Sequence, residues 1–430
     1  MARKNQGTIL SHPLVAIELG GHSVRAMAAE MTEEGLVRVL GVESSNRHSP
    51  NLVERGVVNS TSNASYVIGE VLKLLANRIR VEALTQVFVA LGGRSMQMVT
   101  VGSKRHQGYS KEIHQYLLDE MEAECRQKIE MHNPQAAVLG VIPSYYKLDG
   151  NMQCDQPTPQ QKAMQVEACY TAFVGKKELF EKVEGSFIRT PKHIEHTCVR
   201  ADALLSALAT ADDVQNGCAI LDMGAQTTTL SIFKGNQYLY TKVIPLGGYD
   251  ISRDIEQYGI ALPYAERLKC MYGYASPAYV PADNCYRIPN DSQTDSVVIR
   301  ANELAEVIAA RLDQTLDGLM NDLNQYAGQI SVLYITGGAS MLNGVESYIQ
   351  TKTTIPVMYG SHAPWLSMDT PDELCAPTYA SLVGTLLQGN QYRQEHPDEQ
   401  PEDDIIRRLK KFKKKVEEET LNIFTEFENN

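Results

Sequence analysis

Two short stretches, one centred on position 18 and one on position 222, share a frame. Ile17-Glu18-Leu19-Gly20-Gly21 and Leu221-Asp222-Met223-Gly224-Ala225 each run an apolar strand into a single acid and then into small residues. An acid inside an otherwise buried strand is costly unless it faces a cation or a bound polar ligand. A glycine two places later lets the backbone turn tightly and bring its N–H groups up to an anion. Written twice, the pattern predicts a chain of two halves that open alike. Their facing hairpins would clasp a nucleotide's phosphates, with the acids reaching a phosphate-bound metal through water. Taken alone, Glu18 to Val24 reads equally well as an acid at a strand edge in water, and it is the repeat at Asp222 to Thr228 that shifts the balance.

At 430 residues the chain is too long for one core, and 43% hydrophobic residues are enough to build two or more. A net charge of -12 argues against non-specific nucleic-acid binding, which needs a basic excess. The eight cysteines show no C-x-x-C and no paired histidine spacing, so they read as reduced cytosolic thiols. Met1 to Ser11 has no apolar leader core, and no uninterrupted apolar run is long enough to span a bilayer, so neither secretion nor a membrane span is indicated.

Periodicity predicts strands at Leu14 to Leu19, Val24 to Glu30 and Val37 to Val42, a helix near Ser65 to Arg78 and a strand at Gln86 to Leu91. Helical spacing over Lys111 to Lys128, with strand character over Ala137 to Leu148 and Met164 to Val174, makes residues 85–175 a compact α+β insertion. A helix from Cys198 to Leu208 then leads into strands at Cys218 to Met223, Thr227 to Phe233 and Tyr238 to Ile244. Gly247 and Gly248 introduce helical segments, a long amphipathic helix is expected from Ser296 to about Tyr326, and a strand at Ser331 to Ile335 precedes a helix near Gly344 to Thr351.

Two further features suit a polar ligand. Thr336-Gly337-Gly338-Ala339-Ser340 follows a very apolar strand, and paired glycines before a helix admit a ligand close to the backbone. A plain strand-to-helix turn has the same appearance. Glu266 and Lys269 lie three apart on one helical face, as a surface salt bridge does, or as a pair holding a ribose does. There is no G-x-S-x-G, H-E-x-x-H or P-loop, and the histidines form no ligand cluster, so His22 reads as a turn residue rather than a base. No nucleophile or general base is assigned. Glu18 and Asp222 are the candidates for positioning water or metal.

In this order, these features resemble the actin, Hsp70 and sugar-kinase ATPase superfamily, and within it the bacterial cell-division family FtsA, from Leu14 to about Leu387. The most specific matches are Thr241 to Gly248, Asp250 to Ile255 and Ala265 to Gly273. Val138 to Pro143, Leu304 to Ile308, Ile335 to Gly344 and Tyr379 to Leu386 also follow the family pattern, and the insertion falls where that family carries a subdomain. The resemblance implies an α/β, actin-like two-lobed ATPase fold with duplicated lobes and a C-terminal amphipathic helix. It implies ATP and Mg2+ as cofactors, self-association into filaments, and a role tethering the tubulin-like FtsZ through its C-terminal peptide, alongside other division proteins. The location it implies is the cytoplasmic face of the inner membrane at the septum.

Carried over by position, Glu18, Gly20 and Gly21, with His22 and Ser23, fall on the first phosphate hairpin. Asp222, Gly224, Ala225, Gln226 and Thr227 fall on the second, with Gly247 and Gly248 following it. Glu266 and Lys269 fall on the ribose contact, and Gly337, Gly338 and Ala339 on the adenosine loop. The expected divisions are lobe 1 at 14–84, 176–210 and 376–390, the insertion at 85–175, and lobe 2 at 211–250, 251–327 and 328–375. An acidic linker at 391–404 and a tail at 405–430 complete them. The FtsZ site is expected near 250–325.

The sequence departs from the superfamily where chemistry is sensitive. Glu18 replaces the usual aspartate, Gly21 a hydroxyl residue, Ala225-Gln226 a glycine pair and Thr229 a common second aspartate. The bulk of Gln226 at the γ-phosphate position favours ATP as a conformational ligand, with slow turnover at most.

In the tail, Ile405, Leu409, Phe412, Val416, Ile423 and Phe427 fall within an arc of roughly 60° on a helix, with Ile406 and Phe424 widening it. Arg407, Arg408, Lys411, Lys414 and Lys415 are among seven basic residues packed beside that face. Such a helix would lie along an anionic lipid surface, each basic residue adding about 1 kcal/mol. A solvated, partner-bound or coiled-coil helix is the other reading, and Glu417 to Glu419, Glu426 and Glu428 favour it. One such foot binds weakly, so attachment would draw on avidity. The rivals to the whole reading are a pilus-assembly-type actin-like adaptor and a small-molecule kinase of the same superfamily, the latter needing a substrate-side aspartate that the chain does not offer convincingly.

Overall fold

The computed structural model describes residues 13–45, 52–94, 96–158, 160–188, 193–235, 237–289 and 296–396. The chain opens as an antiparallel meander of β1 (Leu14–Leu19), β2 (Val24–Met31) and β3 (Val37–Ser44). A short pair, β4 (Val53–Glu54) and β5 (Val57–Val58), leads into α1 (Thr61–Ile79). The Ser60 hydroxyl caps α1 by accepting the Asn63 N–H at 3.3 Å. Ala64, Ile68, Val71, Leu72 and Leu75 recur at helical spacing, and that face is buried in one core with Val15, Ile17 and Val24. Then β6 (Gln86–Leu91) lies parallel to β1.

The insertion forms its own sheet: β7 (Gln97–Glu112), β8 (Ala136–Leu148), β9 (Met152–Cys154) and β10 (Lys162–Lys176), in the order β7-β10-β8-β9. The helix α2 (Gln115–His132) packs Leu118, Met121 and Cys125 into that sheet's core. Here the structure corrects the helical expectation over Lys111 to Lys128, because Lys111 and Glu112 pair with Ala163 and Lys162 and the helix starts only at Gln115.

After α3 (Lys177–Ile188), β11 (His193–Val199) lies parallel to β6 and completes a sheet in the order β11-β6-β1-β2-β3. The helix expected from Cys198 begins at Arg200, as α4 (Arg200–Leu208), because Cys198 and Val199 are still zipped to Ala90 and Leu91. A short α5 (Ala211–Asn216) closes the first half.

The second half repeats the opening. The meander β12 (Cys218–Met223), β13 (Thr228–Lys234) and β14 (Gln237–Ile244) is followed by α6 (Gly248–Glu256), α7 (Leu262–Tyr272), β15 (Cys285–Pro289), β16 (Ser296–Arg300) and α8 (Ala301–Asn324). Next come β17 (Val332–Thr336), α9 (Val345–Gln350) and β18 (Val357–Tyr359), giving a sheet in the order β14-β13-β12-β17-β18. In each lobe, then, the meander's first strand carries the acid and pairs on its other side with a parallel strand, which pairs with a second. The long helix expected from Ser296 starts five residues later, since Val297, Val298 and Ile299 favour the pleated surface and pair with Ile288, Arg287 and Tyr286.

A third core cluster, with Val199 and Leu204 of the first half and Ile220, Phe233 and Val332 of the second, joins the lobes. Here the first residues of α10 (Ala380–Glu395) approach α4 so closely that a Cβ on Gly384 would stand 1.9 Å from the Ala203 carbonyl oxygen. Of the acidic linker expected at 391–404, residues 391–395 belong to α10, and the part from 397, with the tail at 405–430, lies outside the described residues. Among the described residues no helix is long and apolar enough to cross a membrane.

Candidate functional site

The duplicated frame folds into duplicated geometry. At the end of β1 the Gly20 N–H donates to the Ser23 carbonyl at 3.1 Å, and at the end of β12 the Gly224 N–H donates to the Thr227 carbonyl at 2.9 Å. A Cβ on either glycine would sit 2.9 Å from that same carbonyl oxygen, so both turns need the missing side chain. Among the described residues, no hydrogen bond uses the N–H groups of Gly21, Ser23, Ala225, Gln226 or Thr227. Two sets of unpaired backbone donors suit an anion.

Between the hairpins lies a cavity of about 450 Å³, within the usual range for a small-molecule site. Glu18, Gly20, Gly21, His22, Ser23, Asp222, Gly224, Ala225, Gln226 and Thr227 line it, together with Gly248, Glu266, Lys269, Gly337, Gly338 and Ala339. Gly247 alone of the expected set stands behind the lining. A Cβ there would fall 2.5 Å from the Gly224 carbonyl oxygen, so its role is to let α6 close onto the second hairpin. The first N–H groups of α6 are taken by that hairpin, Gly248 donating to Gly224 at 3.0 Å and Tyr249 to Ala225 at 2.6 Å.

On the far wall, Lys269 is buried and donates to the Gly248 carbonyl and to Glu266, both at 2.7 Å, while the Ser252 hydroxyl also bonds Glu266. Burial works to raise the Glu266 pKa, but Lys269 and these hydrogen bonds outweigh it and hold the carboxyl below its ordinary value. Gly337 has φ +88°, and a Cβ on it would meet the Met223 carbonyl at 2.5 Å and Asp222 Oδ1 at 2.6 Å. The paired glycines enter a single 3-10 turn at 338–341 rather than a helix directly.

The two acids face one another, as the sequence suggests, but an arginine stands between them. Arg200, the first residue of α4, donates through Nη1 to Glu18 at 2.6 Å and through Nε to Asp222 at 2.7 Å. Arg25 takes the other oxygen of Glu18 at 2.5 Å. Burial pushes the Glu18 carboxyl up, yet Arg25 and Arg200 more than offset this and its pKa lies below the ordinary value. Burial likewise opposes the charge on Arg200, which Asp222 and Glu18 reinforce beyond it. Three of the four carboxylate oxygens are therefore engaged by guanidinium. Asp222 Oδ1, buried and without a partner, is the one left.

The fit differs for the two expected cofactors. ATP suits the paired turns, their free N–H groups and the cavity. Mg2+ held through water by Glu18 and Asp222 does not suit a pair whose charge two arginines already balance, since magnesium needs an ordered octahedron of oxygens around it.

Gln226 is the other departure with a visible consequence. Its side chain crosses from the second hairpin to the first, donating through Nε2 to the Gly21 carbonyl at 3.0 Å and accepting the Arg55 N–H at 2.7 Å. A side chain on Gly21 would collide with it at 3.0 Å. Arg25, Arg55 and Arg200 are hydrogen-bonded to the candidate site residues and carry no motif of their own. Arg25 sits opposite Glu18 in the β1–β2 register, so a tight-hairpin pairing would have revealed it. Arg200 gives no local signal.

The FtsA family model, described as cell division protein FtsA, matches residues 219–384. Proteins described by that same name match over most of the chain. That of Helicobacter pylori is 24% identical over 87% of this chain and 81% of its own, and that of Pseudomonas aeruginosa 22% identical over 93% and 97%. That of Escherichia coli K12 is 22% identical over 88% and 90%. Among solved structures, the PilM-PilN type IV pilus biogenesis complex superposes with a TM-score of 0.63 at 18% identity, covering 87% of this chain and 98% of that one. MreB5 of Spiroplasma citri bound to AMPPNP follows with 0.55 at 13%, covering 90% and 99%. These likenesses establish the actin-like fold.

Proposed function

For this FtsA-like chain of actin-like fold, we propose a cell-division protein that binds ATP between its two hairpins, self-associates into filaments, and tethers FtsZ to the cytoplasmic face of the membrane. The observation that carries the reading is the pair of matched turns, with their unpaired N–H donors, across one cavity in a chain matched by the FtsA model. An AMPPNP-bound MreB5 of the same fold supports nucleotide as the occupant. ATP acts as a conformational ligand with slow turnover at most, because the Gln226 side chain, bonded to the Gly21 carbonyl and the Arg55 N–H, stands where the hairpin backbone would otherwise close on the terminal phosphate.

Attachment to anionic lipid runs through the basic, apolar-faced tail at 405–430, strengthened by assembly of several subunits. The FtsZ C-terminal peptide and other division proteins are the partners, and the septum is the site of action. Co-sedimentation with anionic liposomes, comparing the full chain with one ending at Gln394, tests the tether. Lipid binding lost only on truncation supports it, and equal behaviour removes it. A pilus-assembly-type adaptor would ignore the FtsZ peptide, and a kinase would leave a phosphorylated small molecule on incubation with ATP and candidate sugars.

A further inference from the structure

We propose that Arg200 supplies, at the phosphate end of the cavity, the positive charge that a divalent cation supplies in most triphosphate sites, so that this chain binds nucleoside triphosphate without needing magnesium. The inference rests on the nucleotide reading above and concerns how the phosphates are neutralised.

The cavity lining carries three carboxylates, Glu18, Asp222 and Glu266, and three cations, Arg25, Arg200 and Lys269. A water-coordinated magnesium ion is drawn to a site by unbalanced negative charge and by carboxylate oxygens free to accept from its waters. Here neither is on offer. Both oxygens of Glu18 and one of Asp222 accept from guanidinium at 2.5–2.7 Å. The remaining Asp222 oxygen is walled in beside Gly337.

Arg200 is fixed by both lobes at once, its two bonds reaching one acid from each duplicated strand. A guanidinium is planar, keeps its charge at any working pH, and presents five N–H donors in a rigid fork. With Nη1 and Nε held by the acids, Nη2 remains outside both bonds, on a side chain that lines the same cavity as the two hairpins. A terminal phosphate lodged between those hairpins meets backbone donors from both turns and a cation already in place. Arginine recognises phosphate oxygens well, and a charge-assisted bond to it is shorter and stronger than a neutral one. Magnesium would have to displace a doubly anchored guanidinium to take that role.

The test is calorimetric titration of ATP into the full chain, once with excess EDTA and once with magnesium. Affinities within about threefold of one another are expected, whereas binding at least about tenfold tighter with the metal, or seen only with it, overturns the inference. No binding in either arm sinks the nucleotide reading itself and this inference with it, which distinguishes the two failures.

Arg200→Ala adds a signature that a merely structural residue would not give. Affinity in EDTA falls about tenfold or more and magnesium recovers most of it, because two freed carboxylates now suit the metal. Arg200→Lys keeps part of the EDTA affinity. Unchanged EDTA affinity in Arg200→Ala overturns the proposal. If circular dichroism shows the variants unfolded, the two-arm comparison on the unaltered chain still decides.

Discussion

Replacing Glu18 by glutamine keeps the shape of the side chain and removes the charge that two arginines share. Glu18 is 5% exposed, and Arg25 and Arg200 have side chains 21% and 26% exposed, so the trio is buried but not sealed. Breaking a buried pair by deleting one partner costs about 3–5 kcal/mol. Two features pull the figure down: Arg200 keeps Asp222, and Arg25 keeps the face of the Tyr379 ring, 5.6 Å away. A loss of about 2–4 kcal/mol follows, the lower end applying if the glutamine oxygen still accepts from one arginine. With unfolding entropy of about 2.1 cal/mol/K per residue over the compact unit Met1–Gly389, the melting temperature falls by roughly 2–5 °C.

The same variant carries a pH signature. Because the folded Glu18 pKa is depressed below its ordinary value of 4.5, its stabilisation is fully present above that value and is lost as pH falls through the folded pKa. The gap between the two proteins is therefore widest at neutral pH and narrows in acid. Urea melts at pH 7 and at pH 4 and below measure both effects. A loss at pH 7 under about 0.5 kcal/mol, within the range of an ordinary surface change, refutes the view that the bridge between the lobes is energetically coupled.

Gln226→Ala removes one bond across the hairpins and one to the turn between β4 and β5, and should cost about 1–2 kcal/mol in urea denaturation, since water in the cavity resolvates part of what is freed. Gly384→Ala forces α4 and α10 apart around the Ala203 carbonyl and should lower stability by about 1–3 kcal/mol or more, an effect absent at the open Gly318 apart from helix propensity. Asp202, which accepts from the Tyr238 hydroxyl, is pushed by burial up to about 7. The penalty for ionising it builds as pH rises from near 4 to that value, so Asp202→Asn should match the unaltered protein in acid melts and exceed it at pH 8. Lys269→Ala should weaken ATP binding about tenfold in the same calorimetric assay if that lysine contacts the ligand through the cavity wall.

How far the sequence revealed this architecture depended on whether the deciding contacts were local. The strands Leu14–Leu19, Gln86–Leu91 and Cys218–Met223 stand where apolar patterning placed them, and the repeated acid-x-Gly frame became two turns with the same hydrogen bond. The long strand Gln97–Glu112 escaped notice because it is polar and largely exposed, and only its pairing with Lys162–Lys176 holds it extended. Ser296–Arg300 was drawn into the following helix because a β-branched run beside a helix has no boundary until Cys285–Pro289 pairs with it.

At the site, the glycines and acids announced themselves through spacing. Arg200 did not: it reaches Glu18 across 182 positions and Asp222 across 22, and nothing near it in sequence marks a cleft residue. It also gives the acids a role that their spacing does not announce, as anchors for a guanidinium.

The central claim is that a triphosphate lies between the turns at Gly20–Ser23 and Gly224–Thr227, and a crystal structure of the full chain with a non-hydrolysable ATP analogue tests it most directly. The account predicts phosphate oxygens within hydrogen-bond distance of the Gly21 or Ser23 N–H on one side and of the Ala225 to Thr227 N–H groups on the other. An analogue bound elsewhere, or phosphates contacting only one of the two hairpins, would contradict it.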